Sequence, residues 1–380
     1  MNRLRRRLLA ATALGCAQPL AHAAMAFPDV SPRALDFPRD FGAHLPYRTE
    51  WWYLTGVLDS APDSQQPRLG VQLTFFRIHP SVDPDNPSRF AAHQLVLAHV
   101  AIADPRRGSL MHEERIARTG FGVASISEDD TSVDVDRWSL ARDPATGVYR
   151  GTAQASQFSL DLTATPTQPL LLQGEHGYSR KGPGDAHTAP ASLYYSQPQL
   201  ALQARVRTED DRGATTGEQR HGRGWLDHEW SSTYLPPQSS GWDWVGFNLD
   251  DGSALTAFQM RASASNEGAA ENATAWFAYA SLRSATAGPQ TFTPAQVRFE
   301  PLQRWTSPRT RATYPVAQRI VVGSRTFETR PLMADQELDP PGGFAYWEGA
   351  SDLLEGGRVV GRGYLELTGY AGAVPGVLGR

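Results

Sequence analysis

The chain has 380 residues, 36 basic and 40 acidic, for a net charge of −4, and one cysteine, Cys16. That length holds two domains with cores of their own. The acidic balance excludes a nucleic-acid partner bound through a basic face, and a lone cysteine excludes a disulfide scaffold.

The N-terminus has the pattern of a targeting segment. Arg3, Arg5, Arg6 and Arg7 precede the apolar stretch Leu8–Gly15, and Ala21-His22-Ala23 offers small residues for cleavage. Residues 1–26 therefore read as a signal peptide, and a periplasmic or secreted location is expected. Arg5-Arg6-Arg7-Leu8-Leu9 also fits a twin-arginine signal. Ala13-Leu14-Gly15-Cys16 loosely fits a lipobox, so the alternative is a lipoprotein anchored to a membrane through Cys16. Beyond residue 26 no run approaches the roughly 20 apolar residues of a membrane-spanning helix.

Phe27–Arg48 is rich in proline and charge and reads as an irregular lead-in. Glu50–Asp59 reads as a strand, aromatic and β-branched, ending in the polar loop Ser60–Arg68. Leu69–Arg77 alternates apolar and polar residues like a returning strand, and His93–Ile102 is a third. Further strand-like pieces lie at Trp138–Leu140, Gly147–Ala153, Phe158–Ala164 and Leu200–Arg207, whereas Gly174–Gly182 looks like a loop. Helical periodicity is rare, which predicts an all-β chain of meandering hairpins.

After a hinge near Tyr234–Ser240 the pattern restarts. Trp242–Asp250 lies over Trp51–Asp59, Leu255–Arg261 over Val71–Arg77, and Ala278–Leu282 over Ala98–Ile102. Tyr346-Trp347-Glu348 echoes Tyr194-Tyr195-Ser196, and Gly361–Tyr370 echoes Gly222–Trp230. The shared order predicts an internal duplication, with domains at 27–235 and 236–380, each large enough for a small antiparallel β-barrel.

The richest stretch is Gly222-Arg223-Gly224-Trp225-Leu226-Asp227-His228-Glu229-Trp230; its second copy keeps Gly-Arg-Gly but thins the Asp-His-Glu cluster to Glu-Leu-Thr. In a strand, alternate residues share a face, so Leu226, His228 and Trp230 point one way and Trp225, Asp227 and Glu229 the other. The leucines on the first face of both copies place His228 and Trp230 inside the first barrel. There His228 could carry a proton, its tautomer set by Glu50 on an adjacent strand, or could be a buried imidazole satisfied by one carbonyl. Asp227 and Glu229 are either part of the same chemistry or an ion-pairing face, with Arg77 or Arg223 as partners. Trp51, Trp52, Tyr53, Trp242 and Trp244 are barrel core or the wall of a site for a flat apolar ligand, a wall that Tyr194 and Trp230 would join. His99, opposite Tyr279 in the repeat, is a pocket-wall residue or the polar end of a core strand. No G-x-S-x-G motif supports a serine hydrolase. No H-x-H or H-E-x-x-H spacing supports a metal, and no cofactor is expected.

The chain resembles the AttH-like family of tandem lipocalin-like proteins, which also includes the carotenoid 1,2-hydratases. The residues that carry the resemblance are Phe37–Asp40, Gly42–His44, Thr49–Tyr53, Gln72–Arg77, Trp225–Trp230, Gly241–Trp244 and Gly361–Tyr370. It implies two calycin-type barrels packed together with an apolar pocket. For function it implies an isoprenoid or lipid-like ligand in the N-terminal barrel, acted on by acid/base chemistry of hydratase or hydrolase type. The alternative it implies is a non-catalytic periplasmic carrier or chaperone working with an ABC-transporter permease. The hydratases of the family pair a His-x-Trp strand with a Tyr-x-Asp pair soon after. His228-Glu229-Trp230 matches the first, but Thr256–Met260 holds no carboxylate, so Glu50 or Asp227 would take its place.

Overall fold

The computed structural model describes residues 27–60, 67–80, 82, 86–185, 188–209, 215–233, 235, 236, 238–263, 275–340 and 343–374. The expected signal peptide, with Cys16, lies outside them.

Among these residues helix is confined to two short 3-10 turns, and the strands, all paired antiparallel, carry the fold. The first sheet holds β1 (Thr49–Leu58), β2 (Leu69–Ile78), β3 (Leu95–Ala103), β4 (Met111–Arg118), β5 (Ala124–Ile126), β6 (Ser132–Val135), β7 (Trp138–Arg142), β8 (Tyr149–Gln154), β9 (Phe158–Thr165), β10 (Leu171–Leu172), β11 (Tyr178–Arg180), β12 (Ala191–Glu209) and β13 (Thr215–Ser231). Its order is β4-β3-β2-β1-β13-β12-β9-β8-β7-β6-β5, with β10 and β11 also on β12. The second sheet holds β14 (Ser239–Leu249), β15 (Ala254–Ala262), β16 (Ala275–Arg283), β17 (Pro289–Phe292), β18 (Val297–Thr306), β19 (Thr313–Val322), β20 (Arg325–Pro331), β21 (Glu337–Leu338), β22 (Tyr346–Glu355) and β23 (Arg358–Leu367). Its order is β17-β16-β15-β14-β23-β22-β20-β19-β18, with β21 on β22. Each sheet curls until its ends approach, β4 toward β6 and β16 toward β18, giving two nearly closed barrels.

The strand registers reproduce the duplication. Tyr53 lies opposite Asp227 and Thr74, and Thr74 opposite His99. In the second sheet Trp244 lies opposite Glu366 and Phe258, and Phe258 opposite Tyr279. The repeat therefore equates Tyr53 with Trp244, Asp227 with Glu366, and His99 with Tyr279, as the sequence alignment expects.

Alternation along β1 and β13 is hard to see in hydropathy because both faces are buried. Trp52, Leu54, Leu226 and Trp230 join the core inside the first barrel. Tyr53, Val57 and Trp225 join a separate cluster with Trp244, Phe258, Met260 and Tyr364, which fills the seam between barrels. The barrels approach so closely that a Cβ on Gly70 would stand 2.5 Å from Ala350 Cβ and 2.7 Å from Tyr364 Oη. Polar ties cross the same seam: Tyr364 Oη donates to the Val71 carbonyl at 3.0 Å, and Asn248 Nδ2 to the Gly224 carbonyl at 2.9 Å.

Two segments differ from the sequence reading. The lead-in has little regular structure, as expected, but it plugs the first barrel: Val30, Phe41 and Ala43 belong to its core, and Phe37 and Phe41 pack edge-on against Tyr195. Gly174–Gly182 is not simply a loop; it contains β11, which pairs with the start of β12.

Candidate functional site

His228 and Glu50 meet inside the first barrel, in a network that the lead-in completes. Glu50 is fully buried, and every hydrogen bond it makes is accepted. Its Oε1 takes the Nε2–H of His228 at 2.8 Å and the Nδ1–H of His44 at 2.7 Å. Its Oε2 takes the His44 backbone N–H and Arg77 Nε, both at 2.8 Å. Burial alone would raise the Glu50 pKa, but the charge of His44, hydrogen bonds from His228 and His44, and the charge of Arg77 hold it well below the carboxylate range. His228 is held below the ordinary imidazole value by burial, so it is neutral; its Nδ1 accepts from Tyr195 Oη at 3.0 Å. His44 is lowered by burial, but the charge of Glu50 and the bond to Asp40 outweigh that and raise it. Protonated, it spans the two carboxylates, with Nε2 3.0 Å from Asp40 Oδ1. Trp230 stacks on His44 at 3.6 Å between centroids, and Trp52 on His228 at 4.7 Å.

His44, Glu50 and His228 each place one potential metal-ligand atom within 4.8 Å of the others. The donor set fits a cation poorly. The atoms concerned already satisfy one another, and the Arg77 guanidinium, itself fully buried, sits on the same carboxylate.

The other face of β13 opens on a narrow cleft between the barrels, with a cavity volume of about 60 Å³. The pocket expected inside the N-terminal barrel is thus found at the seam, because side chains fill the barrel interior. The walls are largely aromatic: Trp51, Tyr53 and Phe76 from the first barrel, Trp242, Trp244 and Phe258 from the second. Four carboxylates, Asp227, Glu229, Glu348 and Glu366, also line it, with one ammonium, Lys181.

Asp227 accepts from Tyr194 Oη at 2.6 Å, Ser196 Oγ at 2.5 Å and Trp225 Nε1 at 2.6 Å. Burial nonetheless pushes its pKa up to about 7, with the neighbouring Glu229 adding to the rise. Glu366 is pushed up to about 8 by burial and by the charges of Asp227 and Glu229, against a hydrogen bond from Trp242. Glu348 is raised well above its ordinary value by burial and by Glu366; it is bonded to Tyr53 Oη through one oxygen, and its buried Oε2 has no partner among the described residues. Glu229 is matched by Lys181 Nζ at 2.7 Å and by Ser192. The expectation that Arg77 or Arg223 pairs with Asp227 and Glu229 does not hold. Arg77 points into the barrel toward Glu50, and Arg223 reaches Asp250 at 3.2 Å. The protonated carboxyls can give protons in a mostly apolar space, and the aromatic faces can stabilise a cation formed there.

Of the residues singled out from sequence, Asp227, Glu229, Trp51, Tyr53, Trp242 and Trp244 line the cleft. Tyr194 stands just behind, receiving Trp244 Nε1 at 3.1 Å. Glu50, His228, Trp52 and Trp230 belong to the barrel network, and His99 reaches the cleft through Tyr346, 2.7 Å away. Sequence reasoning missed Lys181, Glu348 and Glu366 as lining residues and His44 and Asp40 as network members. Its usable signals were that Lys181 is the sole lysine and that Glu348 and Glu366 occupy repeat positions of Ser196 and Asp227.

A family profile described as AttH-like matches residues 28–370. The crystal structure of a candidate AttH from Nitrosomonas europaea is 46% identical, covers 90% of this chain and 99% of that one, and superposes with a TM-score of 0.79. Kievitone hydratase from Nectria haematococca is 13% identical over 90% of this chain and 96% of that one, with a TM-score of 0.61. CghA in complex with Sch210972 is 11% identical over 86% and 89%, with a TM-score of 0.50. No curated protein matches the chain. The chain belongs to the AttH-like family, and the two distant structures share its fold.

Proposed function

We propose that this AttH-like protein is an acid–base enzyme of hydratase type, acting on an apolar unsaturated molecule held between its barrels. The observation that supports this best is the cleft itself: aromatic walls enclosing four carboxylates against one ammonium, two of the acids on equivalent strands of the two copies. Asp227 and Glu366 keep their protons near neutrality. Either can protonate a double bond, and water then captures the cation. A kievitone hydratase with the same fold agrees with this class of chemistry. The substrate is an isoprenoid or lipid-like molecule in this reading, and the protein meets it after export directed by residues 1–26. His228 is assigned to the barrel network and not to the proton transfer.

The test incubates the protein with an isoprenoid and lipid extract in heavy-oxygen water and searches for products one water heavier than a precursor. Wild type should produce labelled product. Asp227→Asn with Glu366→Gln should bind the same precursor and leave it unchanged. Equal turnover by the double variant would overturn the assignment. Retention of an unaltered molecule by both proteins would favour the carrier, with or without a transporter permease.

A further inference from the structure

We propose that Tyr346 is the base of the cleft, made basic by His99 and Glu114, which join it in a hydrogen-bonded line to solvent. The inference rests on the acid–base reading above and supplies the group that takes up the second proton.

The three side chains come from three elements. Glu114 on β4 lies directly opposite His99 on β3, so both project from the same face of the first sheet, toward the second barrel. Tyr346 begins β22 on the other side of the seam. Tyr346 Oη is 2.7 Å from His99 Nδ1, and His99 Nε2 is 2.9 Å from Glu114 Oε2. Exposure falls along the line: the Glu114 side chain is 16% exposed and that of His99 1%. Tyr346 lines the cleft.

The direction of the line is set by its neighbours. A carboxylate oxygen only accepts, so Glu114 Oε2 takes the hydrogen of His99 Nε2. An imidazole carrying that one hydrogen has a bare Nδ1 for the phenolic hydrogen of Tyr346, whose Oη also accepts from Gln72 Nε2 at 3.1 Å. Nδ1 is then the acceptor, and Nε2–H donates to Glu114. A phenol giving to an imidazole that gives to a carboxylate has the polarity of a nucleophile–base–acid triad, with tyrosine in the first place. The imidazole is held in that orientation. It stacks on the Tyr346 ring at 5.6 Å and meets Phe76 edge-on at 5.5 Å. Gly343 leaves room for the carboxylate: a Cβ there would lie 2.7 Å from Glu114 Oε2.

In hydration a carboxyl of the cleft gives one proton to the double bond. The water that bonds to the cation gives up one proton to Tyr346 Oη, as the phenolic proton crosses to His99 Nδ1. The imidazolium so formed faces the Glu114 carboxylate. It loses its extra proton to solvent and the cleft carboxyl regains one, so the net change is addition of water. Tyr346 is the catalytic residue; His99 and Glu114 are positioning residues.

The first test needs no substrate. In protein carrying nitrogen-15 histidine, the His99 resonances are identified by their loss in His99→Gln. The relay requires the Nε2–H tautomer with a bare Nδ1, and a downfield Nε2 proton that moves upfield in Glu114→Gln. A proton found on Nδ1 would overturn it, since Tyr346 could then not pass its own proton on. The second test uses the precursor identified in the heavy-oxygen assay. Tyr346→Phe should lower kcat by about 100-fold or more with KM little changed. Glu114→Gln should lower kcat by about 10-fold or more and Glu114→Asp restore most of it. Unchanged kcat in Tyr346→Phe alongside an inactive double variant, Asp227→Asn with Glu366→Gln, would remove the relay and leave the acid assignment standing. Full activity in all these variants would remove both.

Discussion

Glu50→Gln separates a network that holds the first barrel together from a site that does chemistry. The substitution keeps shape and removes one charge. Glu50 accepts four hydrogen bonds, two per oxygen. A glutamine can turn its carbonyl toward Arg77 and the His44 backbone and its NH₂ toward the imidazoles, which change tautomer to accept. Geometry is thus largely kept, but Arg77, fully buried, loses its counter-charge. Removing one partner of a buried ion pair costs about 3–5 kcal/mol, and that is the expected loss of unfolding free energy. Arg77→Met, which leaves the carboxylate with His44 as its cationic partner, should fall at the low end of that range, about 3 kcal/mol. The double variant buries neither charge unpaired, so its loss should fall short of the sum by about 2 kcal/mol or more. Urea unfolding of all four proteins at pH 7 measures this. Additivity within about 0.5 kcal/mol would show that the pair is not coupled and that the argument from burial fails. A small stability loss with abolished turnover would return Glu50 and His228 to the chemistry.

The cleft acids predict a pH dependence of the opposite sign to that of Glu50. Raised folded-state values for Asp227 and Glu366 mean that stability is fully present below the unfolded carboxylate values and falls as pH rises toward 7 and 8. The loss should approach about 1.4 kcal/mol per pH unit per group, and Asp227→Asn or Glu366→Gln should flatten it; an unchanged slope between pH 5 and 8 in both variants would contradict the raised values. Depression of Glu50 contributes stability that is present above the unfolded value and lost as pH falls through the folded one, so Glu50→Gln should weaken the acid limb of the stability curve in acid-titration unfolding. Trp230→Ala should cost about 3–5 kcal/mol and leave ligand affinity little changed, whereas Trp242→Ala should weaken binding of the extracted ligand with a smaller stability loss. Lys181→Met leaves a buried carboxylate without its cation and should cost about 3–5 kcal/mol in urea unfolding; a loss within about 0.5 kcal/mol of zero would show that the 2.7 Å pair does not stabilise the fold.

The sequence made much of this architecture legible, for a specific reason. Duplication lets each strand be checked against its copy, and the pairings Tyr53–Asp227 and Trp244–Glu366 fall where the alignment puts them. The two faces of β13 could also be assigned, since Leu226 and Leu365 mark the barrel interior in both copies. The position of the ligand space could not. Both faces of β1 and β13 are buried, so period-two alternation does not distinguish a barrel interior from a seam between barrels. His44 and Asp40 were hidden because an irregular segment has no period to read. Lys181 was hidden because it follows a strand of three residues in a stretch rich in glycine. Glu366 reads as the remnant of a lost cluster and Glu348 as the echo of a serine; only the packing of one barrel on the other brings them beside Asp227.

The duplication also shows which polar cluster belongs to folding. Arg77 and Arg261 are equivalent, and both are buried against a carboxylate, but the carboxylate has moved. In the first barrel it is Glu50, whose place in the second is taken by Gly241; in the second it is Asp243, whose place in the first is taken by Trp52. Asp243 is further held by Gln259 Nε2 at 2.7 Å and Tyr370 Oη at 3.0 Å. A buried arginine with a relocated partner in each copy fits a requirement of the barrel, namely that the guanidinium must be neutralised wherever the chain can supply a carboxylate. His228 has no counterpart, since Leu367 stands in its place, yet that barrel still closes around its core. The cleft follows a different rule. Trp51 and Trp242, Tyr53 and Trp244, and Asp227 and Glu366 are equivalent pairs that meet across one space. Each barrel solves its own charge problem internally, and among the described residues the buried carboxyls that remain without a cation are gathered where the two copies meet. That is where a proton donor has both a reason to be held neutral and room for a molecule to receive its proton.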